Sequence, residues 1–237
     1  MTPFMPDNEL ASATVFVIVP AYNERGVIRD TLRPLVEFGY TVVVVDDAST
    51  DGTAAEGRDL GVYVLRHRIN RGQGAALQTG MSFAMARGAR YIVHFDADGQ
   101  HRAQDIATLL APLREGRADV VLGSRFLRPE DRAAVPRTRR LLLRCGVVFN
   151  GLLTGLWLTD AHNGFRAFTA EAASRVRIRE NGYAHASEIL QQIRTSGLRF
   201  VEQPTLISYT AYSMAKGQSH LNAVKIVFDL ILRRILR

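Results

Sequence analysis

Tyr91-Ile92-Val93-His94-Phe95-Asp96-Ala97-Asp98-Gly99-Gln100-His101 is the stretch on which the fold turns. Its first half is a short apolar strand, and its second half carries two carboxylates separated by one residue. Aspartates so spaced at a strand end can share one hard cation, Mg2+ or Mn2+, with Gln100 as a further oxygen ligand. Such a cation bridges to a diphosphate and neutralises charge on a leaving group. The same residues also read as a polar turn whose aspartate caps a helix at Ala103.

Working outward, apolar or β-branched runs recur at Thr14–Val19, Thr41–Val45, Val62–Leu65 and Asp119–Leu122. Helical patterns fall between them near Arg25–Phe38, Thr53–Leu60, Gly74–Ala86 and Ala103–Arg114. Continuous apolar strands alternating with helices predict an α/β fold, a mostly parallel sheet covered on both faces. Ligands of such sheets bind beyond the carboxyl ends of the strands. The polar clusters stand there: Pro20–Glu24, Asp46–Gly52, Asp96–His101 and Gly123–Arg125. Within them Tyr22 could stack on a base and Glu24 bond a ribose, while helix initiation explains the same residues. Asp47 reads as a ligand contact, and Asp51-Gly52-Thr53 as a turn with a helix cap. Asn70–Ala76 (NRGQGAA) has the glycines of a phosphate loop but no acidic ribose partner at dinucleotide spacing.

The rhythm changes after Phe126. Residues 127–140 (LRPEDRAAVPRTRR) are proline-interrupted and arginine-rich, which predicts a mobile loop. An apolar helix over 141–158 follows, then a polar turn, helices near Ala170–Val176 and His185–Ser196, and a strand over Arg199–Tyr209. The organisation is therefore a tail (1–13), one domain (14–210) and a C-terminal segment (211–237) with an amphipathic helix. A length of 237 residues suits one domain with a sizeable core. With 47% hydrophobic and 22% charged residues, wholesale disorder and collagen-like structure are excluded. The one cysteine, Cys145, has no intramolecular disulfide partner, as in a reducing compartment.

In family order, PAYNE, VVDDASTDGT, NRGQGAA, FDADGQH, GSRF and TDAHNGFRAF resemble the family 2 glycosyltransferases, specifically the polyprenyl-phosphate (dolichyl-phosphate mannose synthase-like) branch, over Val15 to about Phe168. The resemblance implies a GT-A fold, a nucleotide-sugar donor (GDP- or UDP-linked), a divalent cation, and transfer with inversion. It implies that Pro20, Tyr22, Glu24, Val45 and Asp47 hold the nucleotide. Asp96, Ala97, Asp98 and Gln100 then belong to the diphosphate and metal site. Arg125 would meet a phosphate of donor or acceptor, with Arg139 and Arg140 on the acceptor phosphate. Enzymes of this branch carry Arg and Lys around a glycine near the C-terminal segment, where this chain has Met214 and His220; Lys216 is the substitute charge.

A lipid phosphate attacks without a strong protein base, whereas a sugar hydroxyl needs one; Asp160 and Glu188 are the candidates. The expected acceptor is a polyprenyl phosphate at the cytoplasmic membrane face, the alternative a hydroxyl of a lipid-linked or cell-surface glycan. A sugar nucleotidyltransferase and a non-catalytic membrane-recruited module rank below both. The formal charge of +7 hides a segregation: residues 1–123 hold 12 basic and 15 acidic side chains (−3), residues 124–237 hold 18 and 8 (+10). With no nucleic-acid module in view, the basic excess is assigned to phosphates and an anionic membrane surface. Neither 141–158 nor Leu221–Leu236 spans a bilayer comfortably, and no signal peptide is visible. The expectation is a cytoplasmic, peripheral membrane enzyme, with room for a small membrane-anchor protein or a second copy as partner.

Overall fold

The computed structural model describes residues 14–128, 137–161, 163–182 and 184–208. Its seven strands are β1 (Val15–Ala21), β2 (Thr41–Asp46), β3 (Tyr63–Arg66), β4 (Tyr91–His94), β5 (Val120–Ser124), β6 (Arg166–Thr169) and β7 (Phe200–Pro204). The helices are α1 (Ile28–Glu37), α2 (Thr53–Asp59), α3 (Gln73–Ala86), α4 (Asp105–Arg114), α5 (Arg137–Thr154), α6 (Ala170–Arg175) and α7 (His185–Thr195). One sheet runs in the order β3-β2-β1-β4-β6-β5-β7. All its pairings are parallel except those of β6, which lies antiparallel between β4 and β5.

Strand alternation builds two cores. Phe16, Ile18, Val43, Val45, Ile92 and Phe168 face α3, α6 and α7. Val15, Val17, Val19, Val44, Val93 and Phe95 face α1 and α4. β1 is buried at all seven positions, as a central strand covered on both faces must be. α3 comes close to it at Gly80, where a Cβ would lie 2.2 Å from Ile18 Cγ2.

Three expectations change; the first is the strand expected over Arg199–Tyr209, which is the shorter β7 ending at Pro204. The segment RAFT (Arg166–Thr169), most of it read only as the end of a motif, supplies the antiparallel β6. The helix expected over 141–158 runs from Arg137 to Thr154, so Arg139 and Arg140 stand in its first turn rather than in a loop. The 1–13 tail, most of the 127–140 loop, Lys216, Met214, His220 and the terminal helix lie outside the described residues.

Candidate active site

β4 ends at His94, while Phe95 still donates its N–H to Ile18 O (3.0 Å). The chain then leaves the sheet with Asp96, Ala97 and Asp98. Asp96 is held from two sides. Its Oδ1 accepts from Gln73 Nε2 at 3.0 Å, and its Oδ2 lies 3.0 Å from His101 Nε2. Gly164 closes over it, since a Cβ there would sit 2.6 Å from Asp96 Oδ2. The Asp96 side chain nevertheless stays 30% exposed. Burial pushes its carboxyl up, but the His101 hydrogen bond and the charges of His101 and Arg166 carry it below the ordinary carboxylate range.

Asp98 is held by little: its Oδ1 accepts from Gln100 N at 3.1 Å. Burial, then the adjacent Asp96 charge, with a smaller part from Glu24, push its carboxyl up to about 6. An acid reluctant to ionise beside a second carboxylate is where a divalent cation relieves the repulsion. Asp96, Asp98 and the half-exposed Gln100 offer oxygen donors suited to Mg2+ or Mn2+. Among the described residues no third His, Cys, Asp or Glu completes a metal cluster. Such a cation would take its remaining ligands from phosphate and water, its common arrangement beside one or two carboxylates.

The neighbouring strand ends are built from the same loops. Pro20 and Val45 are register partners on β1 and β2, so their loops emerge together. Val45 and Ala97 are buried in the core, which leaves only their backbone for a ligand. Tyr22 is 45% exposed, while Glu24 is buried against α2 through its N–H to Thr53 Oγ1 (2.8 Å). Asp47 proves to be a loop clamp. It accepts from Arg71 N (2.8 Å) and Gly72 N (2.7 Å) and pairs with His67 Nδ1 (2.7 Å), binding the NRGQG loop to the end of β2. Between Asp47 and Ser49, Ala48 adopts φ 66°, a left-handed conformation that costs an alanine about 1–2 kcal/mol.

Arg125 and Asp160 face each other as a fork-to-fork pair. Arg125 Nε donates to Oδ2 at 2.6 Å, Nη2 to Oδ1 at 2.7 Å, and the Arg125 backbone N–H to Oδ2 at 3.2 Å. The two side chains are 6% and 0% exposed. Glu188 faces backbone instead: it accepts from Arg179 N and Glu180 N, both at 2.9 Å, and ties the start of α7 to the segment before it. Both candidate bases are thus engaged. Arg140 is half-buried in the first turn of α5. His101, Gln73 and Arg166 are residues the sequence reading did not single out. All three lie inside quoted motifs, Gln73 as the Q of NRGQGAA, where only the glycines were read.

A sheet of this order, with a carboxylate pair leaving its central strand, is the GT-A architecture of the glycosyltransferases. The chain belongs to the glycosyl transferase family 2, whose model matches residues 16–177. It is 31% identical over 247 residues to the UDP-N-acetylglucosamine–dolichyl-phosphate N-acetylglucosaminyltransferase of Methanococcus voltae, covering 95% of this chain and 98% of that one. It is 33% identical to the undecaprenyl-phosphate mannosyltransferase of Micrococcus luteus over 80% of this chain and 82% of that protein. Its fold matches glucosyl-3-phosphoglycerate synthase from Mycobacterium tuberculosis, solved with Mn2+, UDP and glucosyl-3-phosphoglycerate. That match has a TM-score of 0.65 at 20% identity, over 99% of this chain and 85% of the other.

Proposed function

We propose that this protein transfers a sugar from a GDP- or UDP-linked donor to a polyprenyl phosphate, with inversion, at the cytoplasmic face of the membrane. The observation that carries the choice of acceptor is the Arg125–Asp160 pair. Both Asp160 oxygens accept from one guanidinium, and Glu188 is taken by two backbone amides. Carboxylates so engaged are poorer proton acceptors for a sugar hydroxyl, whereas a phosphate acceptor is already anionic and needs no such base. The names of the archaeal and bacterial relatives agree with that acceptor class.

In the reaction a phosphate oxygen of the acceptor bonds to the sugar C1 as the bond from C1 to the diphosphate breaks, and the nucleoside diphosphate leaves from the opposite face. A divalent cation, as in the Mn2+ complex of the structural neighbour, would be held by Asp98, Asp96 and Gln100 and supplies charge neutralisation at the departing diphosphate. Gln73 and His101 keep Asp96 in its orientation. Pro20, Tyr22, Glu24 and Val45 line the nucleotide end, with Asp47 shaping the loop beside it and Lys216 available from the C-terminal segment. At the acceptor end, Arg125 is fixed by Asp160. The first turn of α5 holds Arg137, Arg139 and Arg140 and no acid. Cations there oppose the helix dipole, a cost that a bound phosphate offsets.

The test is direct. The purified protein is incubated with Mn2+, undecaprenyl phosphate and either UDP-N-acetylglucosamine or GDP-mannose, and the lipid is analysed by mass spectrometry. A polyprenyl-phosphate sugar, abolished by EDTA and absent with the unphosphorylated polyprenol, is the expected product. Transfer to a glycan hydroxyl with none to the lipid phosphate would overturn the reading.

A further inference from the structure

Behind Asp96, on the face of the sheet covered by α3 and α7, lies a polar layer that the proposed chemistry leaves without a task. Arg166 on β6 is the register partner of His94 on β4, so both side chains enter this layer. Arg166 is 2% exposed, none of its donors finds an acceptor among the described residues, and its Nη1 is sealed off. Burial lowers its pKa to about 10, against the pull of Asp96 and Asp160, so the guanidinium stays charged. A buried cation with no hydrogen-bond acceptor costs several kcal/mol. Nε and Nη2, which are not sealed in this way, have no acceptor among the described residues and are the donors a ligand oxygen would meet.

His185, the first residue of α7, is the second member. Its Nδ1 is 2.8 Å from the carbonyl of Gly182, a contact that requires the proton on Nδ1 and, in the neutral ring, leaves the lone pair on Nε2. Nε2 has no hydrogen-bond partner among the described residues. Burial, then the Arg166 charge, lower its pKa to about 4, consistent with that neutral tautomer. The ring is held in place from α3. Gly74 donates its N–H to Asn181 O at 2.9 Å, and a Cβ on Gly74 would meet Glu180 O at 2.0 Å and His185 Cβ at 2.9 Å.

The layer thus offers a charged donor and a neutral acceptor close to the proposed diphosphate site. A phosphate would accept from Arg166 but has no proton for an unprotonated imidazole nitrogen. A hydroxyl satisfies both, accepting from one group and donating to the other. The sugar of the donor hangs one bond from the diphosphate, and its hydroxyls are the groups within reach.

We propose that Arg166 and His185 read hydroxyl groups of the transferred sugar, Arg166 as donor and His185 Nε2 as acceptor, and so set donor-sugar specificity. This rests on the nucleotide-sugar reading above. Calorimetric titration of the full chain with Mn2+ and UDP, GDP, UDP-N-acetylglucosamine and GDP-mannose tests it in wild type, His185→Phe, His185→Gln and Arg166→Lys. In H185F, affinity for the free nucleoside diphosphate should hold within about twofold, while affinity for the matching nucleotide sugar falls about tenfold or more. H185Q, which restores an acceptor, should recover part of that loss. R166K, which keeps charge but loses the fork, should lower nucleotide-sugar affinity selectively. Equal losses for diphosphate and nucleotide sugar, or no loss in H185F and R166K, would overturn the proposal while leaving the transferase reading intact. Failure of the wild type to bind any of the four nucleotides would overturn both.

Discussion

Asp96 and Asp98 are the same residue type two positions apart, yet the fold treats them oppositely. Asp96 is braced by Gln73 and His101 and held ionised; Asp98 receives one backbone N–H and is pushed up to about 6. A cation at this pair must displace the Asp98 proton below that pH and need not above it. Mn2+ affinity, followed by electron paramagnetic resonance from pH 5 to 7.5, should be flat above about pH 6 and fall toward tenfold per unit below it. Asp98→Asn should weaken binding and remove that dependence; a flat profile in the wild type would place the cation elsewhere. Asp160 needs a different experiment from the one its motif invites. With both oxygens on a buried guanidinium, Asp160→Asn strands the Arg125 charge and should cost about 3–5 kcal/mol of stability. Lost turnover in that variant therefore does not identify a base. Urea denaturation should show the destabilisation in D160N, and a midpoint unchanged from wild type would contradict the pairing. None of this was legible in TDAHNGFRAF or VVDDAS, because a motif names residue types at strand ends and is silent on which oxygen each one faces. Asp47, a nucleotide ligand by resemblance, spends three contacts on His67, Arg71 and Gly72, residues 20 to 25 positions away in the chain.

Elements were legible where burial dictates composition. β1, β2, β4 and β5 are covered on both faces, so they read as uninterrupted apolar runs and were located within a residue or two. β6 escaped because Arg-Ala-Phe-Thr is four residues long and begins with a charge, and its place between β4 and β5 depends on pairings no local pattern encodes. The start of α5 was misplaced for a related reason: TRR after Pro136 looks like loop, although arginine is a good helix former. α3 shows how helix and sheet demands conflict. Alanine for Gly80 would gain about 1 kcal/mol of helix propensity. Its Cβ, however, would lie 2.2 Å from the methyl of Ile18 and 3.2 Å from that of Val45, β-branched side chains fixed in the buried sheet. Overpacking of this kind costs about 1–3 kcal/mol, so Gly80→Ala should lower the urea midpoint. A midpoint at or above wild type would mean that α3 can lift from β1 without loss. The same lift would loosen Gln73 from Asp96, so Mn2+ binding should weaken alongside stability.

At the scale of the whole molecule, charge and apolar exposure coincide in the second half of the chain. Residues 124–237 carry the +10 excess and residues 1–123 are at −3, with the acidic cluster of the strand ends. On α5, Arg144, Val148 and Leu152 follow each other at four-residue spacing and are all exposed, whereas Leu143, Asn150 and Thr154 face inward. Trp157 stands 64% exposed just beyond the helix end. No helix among the described residues is long and apolar enough to cross a membrane. A helix that exposes Arg144, Val148 and Leu152 and ends near a tryptophan instead suits a position in the plane of the headgroups. A polyprenyl phosphate acceptor would have to be taken from such a surface. Because Trp157 is the sole tryptophan, its emission reports on this face alone. Vesicles containing anionic lipid should shift the emission to the blue, and neutral vesicles should do so much less. Raising salt from 0.1 to 1 M shortens the screening length from about 10 to 3 Å and should release most of the protein. Leu152→Glu should abolish the shift without altering nucleotide affinity, since it touches the outer face of α5 and not the strand ends. Binding indifferent to both salt and lipid charge would assign the basic excess to soluble phosphates, and the apolar stripe of α5 to a protein surface rather than a lipid one.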